Sequence, residues 1–252
     1  MTLRIVSFSL LAALAAPAFA LPDGAAIYAD LCASCHAETR LGGKGPALIP
    51  ESLGQLKGDK LAAVIAEGRA MTQMPAFKDT LGPDDIAAVA AYIGQPIPTP
   101  VWGEAEILAT RALRADYVPA AAPVFSADPM NVTLVVETGD SHVSVLDGDT
   151  FEVLDRFETP FAVHGGPKFS PDGRYVFIMS RDGWVQKYDI WSLHEVGRVR
   201  AGLNSRNIAM SSDGTYLAVA NYLPATLTIL NAADLPKIDA EFTDMAFPMT
   251  NN

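Results

Sequence analysis

Sulfur chemistry is nearly missing from this chain. Only two cysteines occur in 252 residues, at positions 32 and 35, and both belong to one short motif. No pair is left over for a structural disulfide elsewhere. Positive charge is scarce too: 18 Lys+Arg stand against 29 Asp+Glu, a formal net charge of −11. Such an acidic balance opposes any sequence-independent hold on phosphate backbones, which removes DNA and RNA as partners. Long apolar runs are also wanting, since the run from Ile5 to Ala15 is too short to cross a bilayer.

That short run has another use. Arg4 precedes it and Ala18-Phe19-Ala20 follows it, the order of a secretory signal with its small-residue cleavage site. Cleavage after Ala20 is expected to leave a periplasmic chain of 232 residues without a membrane span, enough for two compact domains.

The motif itself is Cys32-Ala-Ser-Cys35-His36. A Cys-x-x-Cys pair alone suits a thioredoxin-like redox site, whose thiolates exchange electrons directly. The immediate His36 points instead to covalent haem c, which consumes both thiols and takes the histidine as proximal iron ligand. Export fits that reading, because c-type haem is attached outside the cytoplasm. "TQMPAF" then offers Met74, just before a proline, as the second axial ligand, with Met71 three residues earlier. Thioether sulfur raises the potential and suits electron transfer. For either methionine the alternative is a gap-filling core residue.

The neighbourhood predicts three helices. Ile27, Tyr28 and Leu31 have helical spacing before the cysteines; "GDKLAAVIAEGRA" repeats Leu61, Val64 and Ile65 behind Asp59 as N-cap; "GPDDIAAVAAYIG" sets Ile86, Val89, Ala90 and Ile93 in one stripe behind Pro83. This portion resembles the monohaem class I cytochromes c. In them the methionine ligand often precedes a proline, and a Gly-Pro like that of "LGGKGPAL" often holds the ligand histidine through its carbonyl. The expected unit is an all-α cytochrome c domain over residues 21–95, after a signal peptide at 1–20.

Pro96, Pro98 and Pro100 break the helical pattern and mark a boundary. Residues 96–117 read as a proline-rich linker containing one short helix, "EAEILATRALRA". From about Asn131 the period becomes that of strands, and an internal repeat emerges. Asp147, Asp189 and Asn231 recur at a spacing of 42, and Gly173 and Gly214 of two S-x-D-G turns lie 41 apart. A unit of about forty residues with such turns is a propeller blade. Residues 118–252 make about three blades, whereas propellers close with roughly four to eight. The expectation is therefore an incomplete all-β propeller behind the cytochrome, from a truncated or frame-shifted chain, with completion by partner chains as the alternative.

A haem c domain joined to such a propeller resembles the cytochrome cd1 family, whose propeller holds haem d1. The stretch from Glu137 to Trp191 looks like opening blades of that propeller. "HAETRLGGKGPALIPESL" and "SRNIAMSSDGTYLAVANYLP" look closer to the dihydro-haem d1 dehydrogenase branch than to the nitrite reductase branch. The resemblance implies haem d1, or dihydro-haem d1, as a second tetrapyrrole. It places His164 beneath the d1 iron, Arg181 and Arg206 on its carboxylates, Lys168 as a further cation, and Tyr222 in the pocket. Taken alone, each of these is an ordinary turn residue, and His142 and His194 are read as turn residues only. The activity implied is oxidation of a propionate side chain to an acrylate, with electrons passing to haem c and on to periplasmic redox proteins. Nitrite reductase itself is among the partners this implies. The alternatives are nitrite reduction, or a non-enzymatic electron carrier or tetrapyrrole delivery module. No catalytic base is assigned.

Overall fold

A computed structural model describes residues 22–98, 100–160, 163 and 166–236. The expected signal peptide, His164 and the last sixteen residues lie outside the described residues.

The first unit is helical. Helix α1 (Gly24–Leu31) starts on Asp23, whose carboxylate accepts hydrogen bonds from the backbone N–H groups of Ala25 (2.9 Å) and Ala26 (3.2 Å). It is followed by α2 (Ala33–His36), α3 (Pro50–Leu53), α4 (Asp59–Glu67) and α5 (Pro83–Ile93). The stripes read from the sequence face inward: Leu61 and Ile65 of α4 meet Ile86, Val89, Ala90 and Ile93 of α5, with Tyr28 between. Asp59 is the first helical residue rather than the N-cap, a position taken by Gly58 at φ +53°. Gly24 lets α1 cross α5 closely, since a Cβ there would lie 2.2 Å from the Ala88 carbonyl oxygen.

Arg40 is the polar keystone of this unit. Only 3% exposed, it donates from Nη1 to the carbonyls of Tyr92 (2.6 Å) and Ile93 (3.0 Å) and from Nη2 to that of Gln95 (2.8 Å). Its guanidinium also stacks on the Tyr92 ring at 5.0 Å. The last carbonyls of a helix have no intrahelical donor, so this side chain completes the C-terminal end of α5 together with the Gln95 N–H on the Tyr92 carbonyl (3.1 Å).

The linker helix is shorter than its pattern suggests. Helix α6 (Glu104–Thr110) stops where Arg111 turns extended, and Ala112–Leu113 form β1 instead, paired with the strand His194–Arg200. The edge offers ladder hydrogen bonds, and Thr110 Oγ1 accepts from the Arg200 N–H (2.8 Å), so tertiary pairing outweighs helical propensity here.

The second unit comprises β2 (Val132–Glu137), β3 (His142–Asp147), β4 (Val153–Glu158), β5 (Lys168–Phe169), β6 (Tyr175–Met179), β7 (Trp184–Asp189), β8 (His194–Arg200), β9 (Asn204–Met210), β10 (Tyr216–Leu223) and β11 (Thr226–Asn231). They build three antiparallel sheets ordered β2-β3-β4, β1-β8-β7-β6-β5 and β11-β10-β9. The 42-residue repeat is now physical, because Asp147, Asp189 and Asn231 end β3, β7 and β11, the corresponding strands of three successive sheets. Both S-x-D-G turns close the same way: Ser170 and Ser211 donate to Asp172 and Asp213 and accept the N–H of Tyr175 (2.8 Å) and Tyr216 (2.9 Å). The sheets pack face to face through two apolar clusters, one centred on Val143, Val145, Ile178 and Tyr188, the other on Phe177, Met179, Val199 and Leu217. Among the described residues they form consecutive blades and no closed ring. His142 and His194 open strands β3 and β8 rather than sitting in turns.

Arg40→Ala should remove the guanidinium from three carbonyls, of which that of Tyr92 keeps the Gln95 N–H (3.1 Å), and lower the stability of the helical unit by about 2–3 kcal/mol. Denaturant unfolding followed at the haem would read this; a loss under about 0.5 kcal/mol would contradict the capping role.

Candidate functional site

There are two candidate sites, one within the helical unit and one between it and the propeller. The first is built on α1 and α2, which present Cys32, Cys35 and His36 from consecutive turns. The two cysteines form no disulfide. His36 is buried (7% exposed), and its Nδ1 lies 2.7 Å from the Pro46 carbonyl oxygen. That contact makes Nδ1 the protonated nitrogen and leaves Nε2 as the free ligand. Burial pushes the His36 pKa below its ordinary value, favouring the neutral imidazole that binds metals. Gly45 is what allows the ring its place, since a Cβ there would meet the imidazole at 2.7 Å. The Tyr28 hydroxyl donates to the Ala37 carbonyl (2.7 Å) and fixes the end of α2. Half-buried Leu48, Leu53, Leu56 and Phe77 stand around this apolar core. Unpaired thiols, a histidine held by its far nitrogen and an apolar surround fit a covalently attached haem.

Met74 and Met71 differ sharply. Met71 is 91% exposed, with φ +61°, while Met74 is half-buried and its carbonyl accepts the Arg69 N–H at 3.1 Å. The bland alternative of a packed core methionine thus has no support at Met71.

The second site is a cleft of about 520 Å³ where α3 of the helical unit faces the propeller. Ser52 and Gln55 line one wall; Arg181, Asn204, Tyr222 and Leu223 line the other. The Ser52 hydroxyl is buried and has no hydrogen-bond partner among the described residues. A buried hydroxyl without a partner costs free energy unless something else satisfies it.

Two of the sequence-expected residues, Arg181 and Tyr222, meet at this cleft. Arg206 stands nearby on β9 and owes its position to backbone irregularity. Across β9 and β10 the register runs Ala220 to Asn207, then Asn221 to Ser205, then Leu223 to Asn204. Arg206 and Tyr222 are therefore the extra residues of two β-bulges, one on each strand, a device that re-aims side chains beside functional sites. Lys168 begins β5, opposite Phe177. Val163 bridges Ser180, the residue before Arg181, which brings the β4–β5 connection to the same end of the sheet.

Sequence reasoning missed the contribution of the helical unit to the cleft, and no local signal could have given it. It also missed how the units are joined. The Ala47 N–H donates to Asp182 Oδ1 (3.3 Å), and Arg200 donates from Nη2 to the Leu41 carbonyl (2.6 Å) and from Nε to that of Asp182 (2.7 Å). Ala47 and Ile49 pack on Leu203 and Leu223 at the same junction. Burial raises the Asp182 pKa to about 6, against the opposing pull of the Arg200 charge.

Comparisons with known proteins agree with this two-part build. A family model for the Cytochrome D1 heme domain matches residues 127–246, and one for the cbb3-type cytochrome c oxidase subunit III matches residues 19–93. The chain is 49% identical over 217 residues to a dihydro-heme d1 dehydrogenase of Pseudomonas aeruginosa, covering 84% of this chain and 43% of that protein. It is 27% identical over 239 residues to a nitrite reductase of Stutzerimonas stutzeri, covering 84% of this chain and 41% of the other. A solved structure, "Dihydro-heme d1 dehydrogenase NirN in complex with DHE", superposes with a TM-score of 0.76 at 48% identity, over 85% of this chain and 47% of that one. The chain thus spans less than half the length of these relatives.

Met74→Ala should abolish the weak sulfur-to-iron charge-transfer band and lower the haem potential, whereas Met71→Ala should leave both unchanged. Visible spectroscopy with redox titration checks this; loss of the band in the Met71 variant would reverse the assignment.

Proposed function

Because the chain belongs to the cytochrome cd1 family, we propose that it acts in the oxidation of dihydro-haem d1, holding that tetrapyrrole at the propeller cleft and passing its electrons to haem c. The observation that carries the reading is the meeting of Arg181 and Tyr222 in one cleft whose opposite wall belongs to the haem c unit. A guanidinium binds a carboxylate through two parallel hydrogen bonds, which suits a macrocycle rimmed with carboxylates. Arg206 and Lys168 are assigned to further carboxylates of the macrocycle. His164 is assigned to the tetrapyrrole iron, and Ser52 supplies a hydroxyl from the helical unit to the bound macrocycle. Cys32 and Cys35 would anchor haem c, and His36 and Met74 would hold its iron.

The chemistry is a two-electron, two-proton oxidation, propionate to acrylate. When bound, haem c would supply a one-electron acceptor, so the two electrons would leave in turn by way of a periplasmic redox protein while both protons are released to solvent. A continuous segment is what the fold contributes: α3 walls the cleft, and the loop before it is the shelf beside His36. The higher identity to the dehydrogenase than to the nitrite reductase favours this reaction over nitrite reduction. Export by residues 1–20 places the protein in the periplasm, where c-type haem is attached.

Anaerobic titration of the haem c-loaded chain with dihydro-haem d1 should give a saturating change in the visible spectrum. Arg181→Lys should weaken the affinity by roughly tenfold, since a point charge cannot replace the two-bond fork. Absence of any saturable change would leave the electron-carrier reading instead.

A further inference from the structure

A short run of bonds leads from the cleft to the proximal side of haem c. Arg181 lines the cleft, and the next residue, Asp182, points the other way into the junction, where it is 4% exposed. Its Oδ1 accepts the Ala47 N–H at 3.3 Å. Ala47 is peptide-bonded to Pro46, whose carbonyl takes the Nδ1–H of His36 at 2.7 Å. Asp182 also fills the space beside Gly42, where a Cβ would come within 2.4 Å of its Oδ2. The other end of the same loop is gripped by Arg200 through the Leu41 carbonyl at 2.6 Å. The ring of His36 lies against Gly45 inside this loop. The shelf that holds the histidine is therefore pinned by the propeller at both ends.

We propose that Asp182 is a positioning residue for haem c, holding Ala47 so that the Pro46 carbonyl stays on the His36 ring and the propeller thereby tunes the iron. The physical basis is the outer-shell hydrogen bond to a metal-bound imidazole. Donation from Nδ1–H to a carbonyl fixes the tautomer and raises the basicity of Nε2, which favours ferric iron and lowers the potential. Loosening the carbonyl has the opposite effect. The inference rests on the haem c assignment and is independent of the tetrapyrrole bound next door.

The test is made on the whole haem c-loaded chain with no tetrapyrrole added. Asp182→Ala removes the acceptor, whereas Asp182→Asn keeps an oxygen in the same place and loses the charge. The Ala variant should show a raised haem c midpoint potential and an Ala47 amide that exchanges with solvent at least tenfold faster. The Asn variant should keep the slow exchange and a potential close to that of the unaltered chain. Equal potentials in all three proteins would overturn the proposal. So would equal upward shifts in both variants, which would assign the effect to charge alone. Fast exchange of the Ala47 amide in the unaltered protein would overturn it without any variant.

Discussion

Arg200 is the interaction on which the arrangement of the two units depends. A guanidinium taken out of water is costly unless its donors are satisfied, and here nearly every neighbour serves that end. Its Nε and Nη2 are taken by the Asp182 and Leu41 carbonyls, its flat faces lie near the rings of Trp102 (5.3 Å) and Trp184 (6.0 Å), and the Asp182 carboxylate is close enough to oppose its depressed pKa. Its backbone is used as well, donating to Thr110 and accepting from Trp102 Nε1 at 3.1 Å. One residue thus ties together the cytochrome loop, the linker, α6 and the second blade. The Ala47 N–H bond to Asp182 and the packing of Ala47 and Ile49 on Leu203 and Leu223 act at the same junction.

That placement has a chemical consequence. The segment from Leu41 to Gln55 does three tasks in fifteen residues: it supports His36, docks on the propeller, and walls the cleft. A donor bound at the cleft would therefore lie against the same segment that supports His36. Electron transfer needs closeness and rigidity more than it needs catalytic side chains, and the closely packed junction of Ala47, Ile49, Leu203 and Leu223 supplies both. The buried, unpartnered hydroxyl of Ser52 at the same wall is a cost that a bound polar ligand would relieve.

Much of this was legible beforehand, for definite reasons. Covalent attachment demands two thiols and a histidine at fixed spacing, so Cys32, Cys35 and His36 announce themselves. The stripe of α5 follows from a period of 3.6, and blade repetition leaves the Asp147, Asp189, Asn231 spacing. What could not be read involves backbone partners far along the chain. Arg40 caps a helix about fifty residues away, and Arg200 reaches a carbonyl 159 residues back, bonds in which the partner's side chain plays no part. The bulges that expose Arg206 and Tyr222 are likewise a matter of register, invisible in alternation patterns. The linker helix stops short of Ala112 because that residue pairs with Arg198 on a neighbouring strand, a contact the helical pattern does not carry. The cleft is composite, and composite sites leave no contiguous signature.

The central claim is that a tetrapyrrole held at the cleft reduces haem c within the same chain. Rapid anaerobic mixing of the ferric haem c-loaded chain with excess dihydro-haem d1, followed at the α-band of haem c, tests it directly. The account predicts reduction whose rate saturates as the tetrapyrrole concentration rises, the mark of transfer inside a complex. A rate that climbs linearly without limit, with the Arg181→Lys chain as fast as the unaltered one, would contradict it.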